Sequence, residues 1–308
     1  MTEALIITNP SAARAGGKGL GAARRRLEAR GFRVAVETSG ATGDGERLAR
    51  AAAAGGVGIV IAHGGDGTVM DVAAGLVGTT VPLGLLPGGT GNVLAGNLGI
   101  RRSLVVAADT IAAGITRAID LGRLTTAAGS RYFAVNCGAG FAADLMAETE
   151  QHHKRRFGVV AYVARAIVML GNLVRAQTRV EVDGTTHEGY AATVIVANCG
   201  HIVPGLLPLA DGIAPDDGVF DVAVLDAASY ASALRLAWRL IQRRPDADPG
   251  ITLYRGRTVR VSSEPVLPVE ADGEALGVTP LAVELIPHAL TVLAPPRPSP
   301  RWPLLSRR

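Results

Sequence analysis

Twice within the first hundred residues, an apolar run of strand length gives way to a glycine-rich turn and then to helix-forming sequence. Val57-Gly-Ile-Val-Ile-Ala62 leads into Gly64-Gly-Asp-Gly-Thr68, and the run 82–86 leads into Pro87-Gly-Gly-Thr-Gly-Asn92. Short continuous apolar runs bounded by turn signals read as buried strands. Strands that alternate with helices form a parallel sheet, with ligands at the strand C-termini. The pattern predicts strands over 5–8, 32–37, 57–62 and 82–86, and helices over 19–30, 44–54, 69–77 and 92–98. Two successive glycine turns on one such edge face the same crevice. Thr68 reads as the N-cap of its helix, with Asp71 three positions on in a capping-box arrangement.

Beyond residue 130 the rhythm changes. Strand-like runs over 131–136, 179–183, 191–197, 219–225, 258–262 and 281–286 are interrupted by two helical stretches, 157–177 and 230–243. Several alternate apolar and polar residues, as half-buried antiparallel strands do. The fold class expected is α/β with two domains: an N-terminal parallel sheet and a β-rich second domain. The tail from Pro295 to Arg308 is rich in proline and arginine and reads as disordered at its end.

Composition narrows the function. With 48% hydrophobic and 19% charged residues the chain folds, and a net charge of +4 suits an anionic ligand or membrane face without demanding nucleic acid. Aromatics at 4% leave few stacking platforms for single strands. Cys137 and Cys199 have neither disulfide-framework nor zinc spacing and read as buried thiols. The start, Met1 to Ile7, lacks a signal peptide's positive region, so a cytoplasmic location is expected. The apolar stretch 158–174 carries Arg165 and falls short of the ~20 clean residues of a spanning helix. Preceded by His152-His-Lys-Arg-Arg156, it reads either as a peripheral lipid-docking helix or as a core helix with a solvated first turn.

The glycine turns carry the chemistry. Glycines let backbone N–H groups close around phosphate oxygens, and Asp66 places one carboxylate among them. Thr90 offers a hydroxyl and Asn92 an amide for phosphate or ribose, although Asn92 reads equally as a helix cap. No Gly-x-x-x-x-Gly-Lys-Ser/Thr loop occurs, and Gly16-Gly-Lys-Gly19 does not fit the dinucleotide pattern.

Asn9-Pro-Ser11, Gly64 to Thr68, Pro87 to Asn92, Cys137-Gly-Ala-Gly-Phe141, Ala197-Asn198, Pro215-Asp-Asp-Gly218 and Val269-Glu-Ala-Asp-Gly-Glu274 follow one another in this order. The set resembles the diacylglycerol kinase catalytic-domain family, which includes bacterial lipid kinases and sphingosine kinases. The resemblance spans nearly the whole chain. It implies a first domain related to NAD kinase and phosphofructokinase and a second, sandwich-like one. The domains implied are 1–125, rejoined by 287–308, and 126–286. It further implies Mg²⁺-dependent transfer of the γ-phosphate of ATP to a lipid hydroxyl at a membrane surface.

By motif match, Asn9, Gly64, Gly65, Gly67, Thr68, Gly89, Thr90 and Asn92 line the nucleotide site, with Thr38 a further candidate. Asp272 and Glu274 match the family's Asp-Gly-Glu, whose aspartate is proposed as general base. Asp66 is the other candidate base, or a holder of Mg²⁺ through water, the role the residues favour. Asp272-Gly273 is also a strong hairpin-turn signal. Asp217, with the carbonyls of Ala214 and Val219, matches a structural Mg²⁺ site in some relatives, and an ordinary Asp-Asp-Gly turn is the equal alternative. Val93 stands where many bacterial relatives have an aspartate tied to the metal network, which sets the chain nearer the sphingosine-kinase side. The acceptor is open among diacylglycerol, phosphatidylglycerol and sphingoid-type lipids. NAD kinase, which shares Gly-Gly-Asp-Gly, and an inactive lipid-binding relative are the alternatives.

Overall fold

The central N-terminal strands, over residues 4–8, 59–64 and 83–87, are buried along their length, as in a parallel sheet covered by helices on each side, while the edge strand over 32–38 is largely exposed. A computed structural model describes residues 1–41, 43–140, 174–203, 207–208, 212–241 and 248–297. Strands β1 (Thr2–Thr8), β2 (Phe32–Thr38), β3 (Ile59–Gly64) and β4 (Leu83–Pro87) pair in parallel in the order β2-β1-β3-β4. The order reverses after β2, and right-handed crossovers then place the helices on opposite faces. Helix α1 (Pro10–Glu28) packs with α5 (Leu104–Ala112), and α2 (Asp44–Ala54) with α3 (Asp66–Leu76). The short α4 (Val93–Asn97) follows β4.

The parallel sheet continues into antiparallel strands. β18 (Leu281–Leu293) is the joint: Val292 pairs with Leu83 of β4, while its earlier half pairs with β15 (Thr258–Glu264). Along its other edge runs β5 (Thr116–Thr126), followed by β6 (Gly129–Phe133). β8 (Ala176–Val182) and β9 (Thr185–Ala191) complete this sheet of ten strands. A second sheet is antiparallel, in the order β14 (Ile251–Gly256), β13 (Phe220–Leu225), β10 (Thr193–Ala197), β7 (Asn136–Gly140), β16 (Pro268–Ala271), β17 (Glu274–Val278). Both sheets bury side chains into one core, where Phe133 and Phe220 stack with ring centroids 5.7 Å apart. β11 (His201–Val203) and β12 (Leu207–Pro208) form a separate pair, and α6 (Tyr230–Ile241) packs by Ala233 and Leu236 on Ile251.

The α/β class and the change to antiparallel strands are as expected, and Cys137 and Cys199 are buried free thiols. Several local expectations are corrected. α1 begins at Pro10, nine residues before the expected start. α3 begins at Asp66 with Gly65 as N-cap, so Thr68 lies inside the helix and makes no cap; Asp71 instead accepts from Gly43 N–H at 3.1 Å. The expected helix 157–177 and the basic cluster at 152–156 lie largely outside the described residues, but Ala176 and Gln177 belong to β8. The strand expected to stop at Ile286 runs on to Leu293. It passes Pro287 through a bulge, where His288 adopts φ 50° and donates its N–H to the buried carboxylate of Asp120 at 2.8 Å. No helix among the described residues is long and apolar enough to cross a membrane.

Candidate active site

Register places the strand ends in one row. Thr8 is the partner of both Thr38 and His63, and His63 is the partner of Leu86, so Asn9, Gly64 and Pro87 leave the sheet along the same edge. Asn9 N–H donates to His63 O at 3.2 Å. His63 is buried, with Nδ1 2.8 Å from Thr8 Oγ1, and burial lowers its pKa.

The two glycine turns touch. Gly88 N–H donates to Gly64 O at 2.8 Å, and a Cβ on Gly89 would lie 2.5 Å from Gly65 Cα, closer than any side chain permits. This backbone contact is what glycine is needed for here. Asp66 ties the turns together: its Oδ1 accepts Val93 N–H at 2.6 Å at the start of α4, and its Oδ2 lies against Gly91. Asn92 is left-handed at φ 51°, and both ends of its amide close on Gly89, Oδ1 accepting from N–H at 3.0 Å and Nδ2 donating to the carbonyl at 2.6 Å. Asn92 therefore shapes the turn. Arg102 donates to Gly91 O at 2.9 Å and to Thr90 O, gripping the turn from its carbonyl side.

The opposite wall is the β16–β17 hairpin, whose Asp272-Gly273 turn has φ values of 48° and 85°. Three acidic residues at alternate positions have different surroundings. The Glu270 side chain is buried; Oε1 accepts from Asn136 Nδ2 at 3.0 Å and Oε2 from Gly273 N–H at 2.7 Å, and burial pushes its pKa up to about 8. Asp272 accepts three backbone N–H groups: Ala134 on Oδ2 at 2.8 Å, and Val135 and Asn136 on Oδ1 at 2.9 and 3.1 Å. Burial pushes Asp272 up to about 6 against the pull of those donors, and the charge on Asp66 adds to the rise. Glu274 reaches the glycine turns. Its Oε2 pairs with Arg131 at 2.6 Å, while Oε1 stands 2.7 Å from the point a Cβ on Gly67 would occupy.

The structure thus brings Asp66, Gly67, Thr68, Gly89, Thr90 and Asn92 together and faces them with Glu274, with Asp272 near enough to feel the charge on Asp66. Thr38 sits exposed at the end of β2. The three positions expected to hold a structural cation share one turn, and there the Asp217 carboxylate and the Ala214 carbonyl are engaged. Asp217 Oδ2 accepts from Arg255 at 3.1 Å, Oδ1 from Val219 N–H at 3.3 Å, and Ala214 O from Asp217 N–H at 3.3 Å. Arg255 also pairs with Asp221 at 3.1 Å. A guanidinium already balances this carboxylate, so the donor set does not suit a hard cation that needs several unshared oxygens.

Sequence reasoning assigned no role to Glu270, Asn136, Arg131 or Arg102. Glu270 was visible as a charge inside an otherwise apolar strand, a pattern that asks for a buried partner. The two arginines carry no local signal, because their partners lie 143 and about 11 residues away in sequence and are met only in the fold.

A family model described as the diacylglycerol kinase catalytic domain matches residues 3–124, and one described as the YegS C-terminal NAD kinase beta sandwich-like domain matches 135–294. A diacylglycerol kinase of Bacillus subtilis is 30% identical over 91% of this chain and 92% of its own length. A diacylglycerol kinase of Mycobacterium tuberculosis is 31% identical over 94% of each. An uncharacterized Synechocystis protein is 29% identical, and the chain spans 54% of its length. A solved structure of a putative diacylglycerol kinase from Bacillus anthracis superposes with a TM-score of 0.77 at 21% identity, over 96% of this chain and 97% of that one, a likeness of fold. The chain belongs to the diacylglycerol kinase catalytic-domain family, a family of lipid-kinase enzymes, as its motifs imply.

Proposed function

We propose that this family member transfers the γ-phosphoryl group of Mg-ATP to a lipid hydroxyl. One observation carries the reading: Glu274 Oε1 stands against Gly67, in the turn that abuts Gly89. Phosphoryl transfer needs donors around the phosphates and one group to take the hydroxyl proton. The paired turns supply the first and Glu274 the second. Residues 1–125 with the returning end of β18 then form the nucleotide unit, and 126–286 the acceptor unit. Asn9, Thr38, Thr68 and Thr90 lie at the edge where the nucleotide would rest.

Asp272 is the weaker candidate for the base. Its two oxygens already accept three backbone donors, which fix the hairpin against residues 134–136. Glu274 keeps one oxygen facing the cleft. In the step proposed, the lipid hydroxyl oxygen bonds to the γ-phosphorus, its proton passes to Glu274 Oε1, and the bond to the bridging oxygen breaks to release ADP. Mg²⁺ arriving with the nucleotide would offset phosphate charge, and Asp66 Oδ2 is the oxygen suited to face it through water. The acceptor hydroxyl belongs to a membrane lipid, so the enzyme would work at a bilayer surface. The names of the relatives make diacylglycerol the first acceptor to test, beside phosphatidylglycerol and a sphingoid base.

Incubation with γ-labelled ATP, Mg²⁺, this lipid panel in vesicles and NAD tests the reading. Label on a lipid supports it. Label on NAD alone would establish the rival activity, and label on nothing would favour a lipid-binding relative without turnover.

A further inference from the structure

We propose that Arg131 is a positioning residue that sets the aim of Glu274, an inference that rests on reading Glu274 as the proton acceptor. A glutamate on a half-exposed strand has several rotamers open to it, and only some bring an oxygen to the glycine turn. Here the carboxylate is divided. Arg131 holds Oε2 at 2.6 Å, and the planar group then directs Oε1 at Gly67. The ion pair is partly shielded, with side chains 27% and 35% exposed, so water screens it less than a fully exposed pair.

The same short segment grips the hairpin twice. Arg131 comes from β6, in register with Leu124 of β5, and five residues later the chain reaches Asn136. The backbone of 134–136 holds Asp272, and so holds the turn itself. Arg131 holds only the side chain that faces the phosphates. The two grips are separable: with Arg131 removed, Asp272 still fixes the hairpin, and Glu274 loses its direction. Asp66, Asp272 and Glu274 converge where the polyphosphate would lie, and Arg131 supplies a cation on the acceptor side of that cluster.

The test compares the full chain with Arg131→Met, Arg131→Lys, Glu274→Gln and the double variant Arg131→Met/Glu274→Gln. Readouts are kcat, KM for ATP, and Tm. Arg131→Met is expected to lower kcat on the order of 10- to 100-fold, the scale of a misplaced reacting group, with KM and Tm nearly unchanged. Arg131→Lys should recover part of kcat, because an ammonium can pair the same single oxygen but on a side chain of different reach. In the Glu274→Gln background, Arg131→Met should cost nothing more. Wild-type kcat in Arg131→Met, a loss carried by KM, a loss that tracks Tm across both arginine variants, or an equal further loss in the double variant would each overturn the inference. Full turnover in Glu274→Gln would instead remove the proton-acceptor reading, and the inference with it. Impaired Glu274→Gln beside normal Arg131→Met would sink the inference alone.

Discussion

Gly67→Ala adds one carbon atom at a place where its only close neighbour is the group proposed to take the proton. The new Cβ would lie 2.7 Å from Glu274 Oε1, whereas ordinary contact begins at 3.4 Å, so the carboxylate must retreat by about 0.7 Å, the difference between them. The fold does not resist this, since the neighbour is the end of a flexible side chain. Gly67 also lies in the first turn of α3, where alanine is favoured over glycine by up to about 1 kcal/mol. Tm should therefore hold or rise slightly. Displacement of a reacting group by about 1 Å can cost on the order of 100-fold in rate, so kcat at saturating ATP should fall about 10- to 100-fold. Gly89→Ala is the informative contrast. Its Cβ would meet Gly65 Cα at 2.5 Å, backbone against backbone, and stability and nucleotide affinity should fall together. Initial rates on lipid vesicles and thermal melts decide the matter. A folded Gly67→Ala enzyme with wild-type kcat would refute the placement of Glu274 as proton acceptor.

Asp66→Ala removes the acceptor of Val93 N–H and should cost about 1 kcal/mol together with a rise in KM for ATP, while Asp66→Asn keeps an oxygen for that N–H and should cost less stability; equal melts for the two variants would contradict the tie between the turns. Glu270 holds its proton to about pH 8 when folded and has an ordinary value of 4.5. Between those values the unfolded chain has released a proton that the folded chain keeps, so stability falls as pH rises, with Asp272 adding to the fall up to about 6. The decline of Tm from pH 5 to 8 should be shallower in Glu270→Gln, even though that variant starts lower for want of a second acceptor oxygen; parallel declines would contradict a protonated Glu270. Dialysis against EDTA should leave Tm unchanged, whereas Arg255→Met should lower it by less than about 1 kcal/mol in stability, as expected for a half-exposed pair. A Tm drop in EDTA that Mg²⁺ restores, and that Asp217→Asn abolishes, would show a cation at that turn after all.

What the sequence reveals is mostly what is decided locally. Helix 44–54 was legible to the residue, because its acidic start and glycine stop are both in the chain. The glycine turns and the Asp272-Gly273 hairpin were legible for the same reason. α5 was not, since Leu104-Val-Val-Ala-Ala-Asp-Thr-Ile-Ala112 mixes β-branched residues with alanines, and its helix is decided by packing, with Ile111 lying over Gly84 of β4. β5 was also missed, and the second half of β18 was hidden by Pro287. The bulge that lets the strand resume is held by Asp120, which lies 168 residues earlier. The roles within the Asp-Gly-Glu motif were unreadable for a related reason. Which carboxylate is free depends on lone pairs used by residues 131–136, far off in sequence.

β18 also bears on how the two walls of the cleft meet. It is paired with β5 on both sides of the bulge, from Ala282 opposite Thr125 to Leu293 opposite Thr116. The passage from parallel sheet to sandwich is therefore a two-stranded ribbon, and two hydrogen-bonded strands bend less freely than one loop. The bend is fixed by Asp120, whose Oδ1 accepts His288 N–H and whose Oδ2 accepts Gly218 N–H, both at 2.8 Å. A buried carboxylate that satisfies two backbone donors is costly to disturb, because either donor would be left unpaired. Strand register and one buried side chain thus fix the backbone between the two walls, while Arg131 holds the Glu274 side chain. On that backbone Glu274 Oε1 stands 2.7 Å from the point a Cβ on Gly67 would occupy, so the two walls meet at the glycine turn.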